Sequence, residues 1–427
     1  MVHEGSRLVI NSASMRHWWA GWSQRVRGEA ILVLLARLAN VVVGTVFVVL
    51  TARHLGPTGR GEIAIAFTLA WATTSVADLG TSTSGRIGLL APDSDVTERD
   101  VLSLTVALIP LQAVLSTLVV AVISVTSLHL SLRFSVAVVA LSVATMMFNS
   151  TVCLLYGMRR YRDVLTIEAS LAVFLVVCLS GIFWAGRLTT TSAVVVMAVG
   201  PALGAVWLAH RTGALRHSVS PWNTSQWREL IANGFSPMAG NFSLFLALRL
   251  DRVVIAVVAG TQSLGVFAVA LTVPETLRIL PRAVGQVIAD RVRSGVDQLA
   301  MARRHARLFV AGHALLLAAS FFVAWLVIPI VFGNGFLGAR DILLVVTAAE
   351  AVLSIHLMQQ ALLVGFGHPS GIGIPQVAGA TVMVALDLVL IPAWGIQGAA
   401  WACLLGYSTL AATSTVWTNR ELRKQAQ

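Results

Sequence analysis

The chain has 427 residues, of which 57% are hydrophobic and only 11% charged, and its mean hydropathy is +0.82. Soluble domains carry about 25% charged residues, so this composition excludes a soluble protein and predicts an integral membrane protein. The formal net charge of +11 comes from arginine, since Lys424 is the only lysine. A Walker A phosphate loop needs a Gly-Lys-Ser/Thr core, so the chain carries no such ATP-binding loop.

The apolar runs predict about twelve transmembrane helices, because a span needs about 20 apolar residues. They are placed at residues 31–51, 62–82, 101–125, 134–156, 164–185, 190–209, 235–258, 265–289, 308–332, 342–366, 372–391 and 396–417. No cleavable signal peptide is expected. Residues 1–28 are polar and aromatic, and two interpretations stay open for them: an interfacial segment and a loosely ordered cytoplasmic tail.

The loops between the spans indicate how the chain is oriented. Arginine residues concentrate on one side, which by the positive-inside rule is the cytoplasm, so both termini are expected to be cytoplasmic. This location of the basic residues also argues against a nucleic-acid partner. The predicted organisation is a cytoplasmic segment 1–28, a six-helix repeat 29–209, a cytoplasmic linker 210–229, a second six-helix repeat 230–417 and a cytoplasmic tail 418–427.

The repeat is supported by internal similarity. Residues 56–69 read GPTGRGEIAIAFTL and align without gaps on residues 260–273, GTQSLGVFAVALTV. A weaker match joins residues 154–157 to 362–365. Chance similarity between apolar helices is the alternative, but glycine and polar residues match as well as aliphatic ones. Both halves begin on the cytoplasmic side, so the repeats are predicted to be parallel.

The segment 265–293 is the most unusual span. Polar residues recur there at three- and four-residue spacing, which places them on one face of a helix. These residues are Glu275, Arg278, Arg282, Gln286 and Asp290. Charge at membrane depth is costly, so this stripe is predicted to face a bundle interior or a wet cavity. Pro274 and Pro281 each remove a backbone hydrogen bond and are predicted hinge positions.

Three sequence segments carry a resemblance to a known family. They are residues 54–62, HLGPTGRGE, followed by ADLG at 77–80; LDR at 250–252 with LGVFAVA at 264–270; and LIPAWGIQGAA at 390–400. In this order they resemble the polysaccharide flippases, of O-antigen and capsule type, in the multidrug/oligosaccharidyl-lipid/polysaccharide exporter superfamily. The resemblance covers nearly the whole chain. It implies an all-α, V-shaped bundle of two six-helix repeats around a central cavity, with a polyprenyl-diphosphate-linked oligosaccharide as cargo.

Arginine in the spans is the predicted ligand of the diphosphate, because guanidinium groups donate forked hydrogen bonds to phosphate oxygens. The candidates are Arg37, Arg249, Arg252, Arg278 and Arg282. Further polar residues are candidates for the cavity lining or for ion coupling: Asn40, Asp78, Asp251, Glu275 and Gln286. The alternative interpretation is that Glu275 pairs with Arg278, and Asp251 with a neighbouring arginine, only to hold the helices together.

The predicted function is a flippase of the bacterial plasma (inner) membrane for cell-surface polysaccharide biosynthesis, with no enzyme activity, cofactor or metal. Membrane lipid and the polysaccharide polymerase machinery are the other predicted partners. Two alternatives stay open: a cation-coupled multidrug exporter of the same superfamily, and a membrane-embedded glycosyltransferase or polymerase. Short external loops and the absence of HExxH, paired CxxC and GxSxG motifs disfavour the last. The D-x-D of Asp93 and Asp95 is interpreted as a solvated loop.

Overall fold

The structure is a computed structural model that describes residues 12–91, 94–211, 224–293, 299–365 and 370–425. Side chains are described from Val43 onward, apart from some next to the ends of these ranges. Within this part of the chain every regular element is a helix. The helices are α1 Ser12–Ala77, α2 Thr81–Leu90, α3 Glu98–Ile123, α4 Leu132–Gly157, α5 Tyr161–Trp184, α6 Thr190–Arg211, α7 Thr224–Leu277, α8 Ile279–Arg293, α9 Leu299–Val331, α10 Ala339–Gly365 and α11 Ser370–Gln425.

Three of these helices are pairs of arms joined at a single glycine. Gly56 breaks α1 with φ 69°, Gly260 breaks α7 with φ 83°, and Gly395 breaks α11 with φ 60°. Positive φ is readily adopted only by glycine, because it lacks a Cβ atom. Each break lies between two predicted spans. The structure therefore joins the consecutive predicted spans at a single non-helical residue.

The all-helical membrane fold predicted from the sequence is confirmed. Among the described residues, eight helices are long and apolar enough to cross a membrane, or nine when residues 43–77 and 81–90 count as one bent span. This count takes α7 and α11 each as one helix in spite of their glycine breaks. The number of twelve spans stays a prediction.

The second predicted span, residues 62–82, is interrupted in the structure. Helix α1 ends at Ala77 and α2 begins at Thr81, with a bend of 57° between them. Leu79 and Gly80 both have positive φ, at 49° and 70°. The Asp78 carboxylate accepts hydrogen bonds from the Ser82 amide at 3.3 Å and the Ser82 hydroxyl at 2.7 Å. A short acidic side chain competes with the helix ladder in this way, which explains the break.

The corresponding helix of the second half, predicted as residues 265–289, is also interrupted. Helix α7 ends at Leu277, Arg278 is in a turn, and α8 begins at Ile279. Pro281 lacks the amide hydrogen that would bond to the Leu277 carbonyl, so the helix cannot continue through this point with its hydrogen bonds complete. Pro274 lies inside α7.

The largest buried cluster joins the two halves. Ile65 and Leu69 from the second arm of α1 belong to it together with Ile255 and Phe267 from α7, and all four are almost fully buried. Alanine is frequent in the same cluster. Small residues let helix backbones approach closely, and van der Waals packing of this kind holds helices together in a membrane.

The halves touch through the two aligned segments, at a place called the glycine contact from here on. A Cβ atom on Gly61 would lie 1.7 Å from the Thr261 carbonyl oxygen, and one on Gly265 would lie 1.8 Å from the Pro57 carbonyl oxygen. Only glycine can occupy either position at this distance. Pro57 aligns with Thr261 and Gly61 with Gly265, so the contact is reciprocal. A two-fold relation between the aligned segments produces this reciprocity.

The opposite ends of the same helices are packed differently. A Cβ atom on Gly80 would lie 1.9 Å from the Gly234 carbonyl oxygen in the first arm of α7. The Ser84 hydroxyl donates to the Leu230 carbonyl oxygen at 2.7 Å. Helix α8 instead packs on α9 and α10, and Gly365 lies against Val292. At this end the second helices of the two halves therefore have different neighbours.

Candidate functional site

A carboxylate surrounded by guanidinium groups lies between the two arms of α7. Glu275 is on the second arm, and its Oε1 atom accepts a hydrogen bond from Arg252 Nη2 on the first arm. Arg249, one helical turn earlier, places Nη1 at 3.6 Å from Glu275 Oε2. Arg278 Nη2 lies 3.7 Å from Glu275 Oε1. The three-residue spacing of Arg249 and Arg252 puts both on one helix face.

Arg278 has a second carboxylate partner on another helix. Its Nε atom donates to Glu350 Oε2 at 2.9 Å, and its Nη2 atom donates to Glu350 Oε1. Glu350 is in α10, so this two-pronged pair joins the helix break at Arg278 to the neighbouring helix. A guanidinium group fixes a carboxylate most firmly in this forked geometry.

We refer to these five residues as the arginine network: Arg249, Arg252, Glu275, Arg278 and Glu350. Exposure of their side chains is graded. Glu350 is 2% exposed and Arg278 and Arg252 are each 7% exposed, whereas Glu275 is 19% and Arg249 29% exposed. A buried charge needs a partner of opposite sign, and the three most buried members each have one. The Arg249–Glu275 side is therefore the open side of the network.

A second carboxylate cluster lies close by and has fewer partners. Asp251 is fully buried, and it accepts from the Arg252 amide at 2.7 Å and from the Cys403 thiol at 3.6 Å. Asp387 in α11 is also fully buried and interacts electrostatically with Asp251. Neither oxygen of Asp387 has a hydrogen-bond partner among the described residues. Two acidic groups in an apolar interior demand compensation by a proton or a cation.

The predicted stripe on the eighth span does not form one uniform face. Arg278 is buried, whereas Arg282 and Gln286 in α8 are exposed. The opposite side of α8 is covered, because Ile288 is buried in a cluster with Met358 and Leu362 of α10. The break at Arg278 separates the two environments. The side chain of Asp290 lies outside the described residues.

Two polar residues of the first half have neutral hydrogen-bond partners, unlike the charged pairs of the arginine network. Gln112 of α3 is fully buried, and its Nε2 atom donates to the Thr73 hydroxyl at 3.0 Å. Asp78 is half-buried at the helix break, where Thr81, Ser82 and Ser150 hydroxyls surround its carboxylate. These bonds make Asp78 a capping group of α2. The side chains of Arg37 and Asn40 lie outside the described residues, so the structure does not place them.

Sequence reasoning did not assign Glu350 and Asp387 to the site. Both are single carboxylates in otherwise apolar spans. An ionisable residue inside a span is usually functional or paired, and this rule would have marked both as members of the site. The sequence does not tell which partner each carboxylate meets, because the pairs lie on different helices.

Comparison with known families decides the affiliation of the chain. A family profile described as "Polysaccharide biosynthesis protein" matches residues 26–284, more than half of the chain. The chain belongs to the polysaccharide biosynthesis protein family. The matched region includes most of the arginine network and the whole of the glycine contact. No curated protein matches the sequence significantly.

Solved structures extend the affiliation to the fold. An inward-facing multidrug resistance transporter of the MATE family, of the multidrug/oligosaccharidyl-lipid/polysaccharide superfamily, is similar with a TM-score of 0.67, 13% identity, and coverage of 92% of this chain and 98% of its own. The lipid II flippase MurJ, in an inward closed conformation, is similar with a TM-score of 0.67 and 13% identity. The match covers 91% of this chain and 86% of MurJ. A transporter of the same superfamily from Pyrococcus furiosus is similar with a TM-score of 0.60 and 12% identity. The match covers 93% of this chain and 96% of that transporter. This polysaccharide biosynthesis protein has the fold of these transporters.

The arrangement can hold an anion but has no evident metal site. Among the described residues, no group of three or more His, Cys, Asp or Glu could hold a metal ion. The arginine network instead offers guanidinium donors close to a partly exposed carboxylate. Guanidinium donors at a position open to solvent are suited to carboxylate or phosphate groups.

Proposed function

We propose that this member of the polysaccharide biosynthesis protein family is a flippase for polyprenyl-diphosphate-linked oligosaccharide in the bacterial plasma membrane. The observation that carries the proposal is the open Arg249–Glu275 side of a charged network between the arms of α7. A lipid diphosphate carries fixed negative charge, so it needs cationic partners at membrane depth. The family description and the likeness to flippase and exporter folds support this reading.

The five arginine candidates take different parts in this proposal. Arg249 and Arg282 are the more exposed ones in the described part of the chain, so they contact the diphosphate directly. Arg252 and Arg278 are nearly buried and hold the carboxylates that shape the site. Arg37 is proposed as a further ligand from the first span. Asn40 and Gln286 are proposed to bind the headgroup or sugar hydroxyls.

Transport is proposed to proceed by alternating access. In this scheme the glycine contact closes the external side and must separate when the cavity opens outward, while Pro274, Pro281 and the break at Arg278 absorb the bending. The close backbone approach at Gly61 and Gly265 supports a closed external side in the present conformation. Coupling to a proton or cation is proposed at Asp251, with Asp387 as its neighbour, and Asp78 and Glu275 as further candidates.

The decisive experiment follows the lipid-linked intermediate in cells. Deleting the gene is expected to abolish surface polysaccharide and to accumulate lipid-linked repeat units on the cytoplasmic face. Replacing Arg249 and Arg282 together by Ala is expected to reproduce this phenotype, and replacement by Lys to rescue it partly, because Lys keeps the charge but loses the forked donors. Normal surface polysaccharide in the deletion strain, together with sensitivity to cationic drugs, would establish the multidrug exporter instead.

A further inference from the structure

Glu275 is the one network member that faces three guanidinium groups. Arg252, Arg249 and Arg278 all approach its carboxylate, the last two at 3.6 and 3.7 Å. Arg278 is already held by Glu350 through two hydrogen bonds. Glu275 is therefore the carboxylate that faces Arg249 and Arg252, and its position is the focus of the positive charge.

The same position is accessible to a ligand. Glu275 and Arg249 are the two most exposed side chains of the network, while Glu350 and its partner Arg278 are shielded. An anion that enters from the open side therefore meets Arg249 and Glu275 first. A phosphate group offers the same kind of oxygen acceptors as a carboxylate and carries more charge, so both compete for the same donors.

The backbone around Glu275 is built to move. Pro274 precedes it and removes one helical hydrogen bond, and α7 ends two residues after it. The Glu275 carbonyl oxygen accepts from the Arg278 amide at 3.2 Å, which closes a turn in place of a further helical step. A side chain between two interruptions can leave its partners without unwinding a long helix.

We infer that Glu275 occupies the phosphate position of the site when the site is empty and is displaced by the substrate diphosphate. This inference rests on the proposed function and specifies its binding step. In the empty state the carboxylate compensates the arginine charges, which would be costly if left alone in the membrane. During release the same carboxylate competes with the diphosphate for Arg249 and Arg252. A cluster of arginine residues without this competitor would retain its ligand.

The test measures binding of inorganic diphosphate to the purified full chain by calorimetry. In Glu275→Gln the shape of the side chain is retained and its charge is lost, so diphosphate is expected to bind at least about fivefold more tightly, the lower end of ordinary coupling between two groups. In cells, the same variant is expected to export less polysaccharide because release is slowed. The gain in affinity should disappear when Arg249→Ala is added.

The matched control is Glu168→Gln in α5, which makes the same charge change at a half-buried position in the other half. It is expected to leave the diphosphate affinity unchanged. An equal gain in this control, or an unchanged or weaker affinity in Glu275→Gln, would show that Glu275 has no special relation to the anion. Absence of diphosphate binding by both the parent chain and Glu275→Gln would overturn the inference as well.

A second variant covers the case in which Glu275→Gln fails to fold in thermal unfolding measurements. Glu275→Asp keeps the charge but shortens the side chain by one methylene group, which withdraws the carboxylate from Arg249. A smaller gain in diphosphate affinity is expected, and no gain would contradict the inference. Failure here is distinguishable from failure of the proposed function, because accumulation of lipid-linked repeat units in the deletion strain does not depend on Glu275.

Discussion

The second helices of the two halves have the same backbone geometry at their first residues but different polar side chains further along. Residues 56–77 and 260–277 both begin with a glycine of positive φ, and they meet each other at the glycine contact. Further along, the first is interrupted by a polar cap at Asp78 and the second at Arg278 inside the arginine network. The two helices thus share their backbone geometry at the glycine contact, whereas their polar side chains differ at the breaks.

This difference distinguishes features that hold the helices together from features proposed to bind the substrate. Features shared by the halves depend on backbone geometry, as at Gly61 and Gly265, and serve to bring the halves together. Features present in one half depend on charge. In the first half, by contrast, the fully buried Gln112 donates to the neutral hydroxyl of Thr73. Charge in a span is costly, so the concentration of five charged side chains in the arginine network is the reason for proposing a ligand there.

The largest effect is expected from Gly61→Ala, which disrupts the glycine contact shared by the two halves. Its Cβ atom would overlap the Thr261 carbonyl oxygen at 1.7 Å, so the two segments must separate. Most polysaccharide export should be lost, and Gly265→Ala should act equally. The distance between spin labels attached at Thr58 and Gln262 is expected to lengthen in both variants. Gly181→Ala is the control, because its Cβ atom would meet nothing within 4 Å. Unequal effects of the two substitutions would show that Gly61 and Gly265 are not equivalent.

The next largest effect concerns a feature of the second half alone. Glu350→Ala leaves Arg278 buried without its main partner, and breaking a buried pair in this way costs about 3–5 kcal/mol of stability. Thermal unfolding in detergent should show a clear decrease in the unfolding temperature. The double variant with Arg278→Met and Glu350→Leu should recover most of it. If the double variant is no more stable than Glu350→Ala, the loss does not come from the unpaired charge.

The proline positions test whether the break in the second half is functional. Replacing Pro274 and Pro281 by Ala restores two backbone amide donors, so the helix becomes straighter and stiffer. Transport is expected to slow several-fold, with little change in the unfolding temperature. Transport is measured as the rate of lipid-linked substrate transfer in vesicles, and stability is measured by thermal unfolding. Unchanged transport would remove the prolines from the mechanism.

The smallest effect is expected in the first half. Gln112→Leu removes the hydrogen bond to Thr73 at 3.0 Å and replaces a buried amide by an apolar group. The net cost of losing such a bond is about 1 kcal/mol, so the unfolding temperature should decrease slightly. Export should remain close to that of the parent chain. A loss of export as large as that in the double arginine variant would show that the first half also carries the substrate.

Several features of the molecule followed from the sequence because they depend on local composition. Apolar runs predicted the membrane fold. The alignment of residues 56–69 with 260–273 predicted a repeat, and the structure adds that the two segments meet at Gly61 and Gly265. The three-residue spacing of Arg249 and Arg252 is also sufficient to place both on one face of a helix. The eighth span is predicted as one striped helix, whereas the structure divides it at Arg278, because Pro281 cannot donate a hydrogen bond to the Leu277 carbonyl.

By itself the sequence determined that the protein is embedded in a membrane, that its elements are helices, and which residue types are available for the site. Only the tertiary structure decided which charges meet. Glu350 and Arg278 are 72 residues apart in the chain and Arg252 and Glu275 are 23 apart, and no local pattern encodes such pairs. Helix packing fixes them, and it also buries Arg278 while leaving Arg249 half-exposed. Burial by neighbouring helices, and not residue type, therefore separates the proposed ligand residues from the residues that hold them.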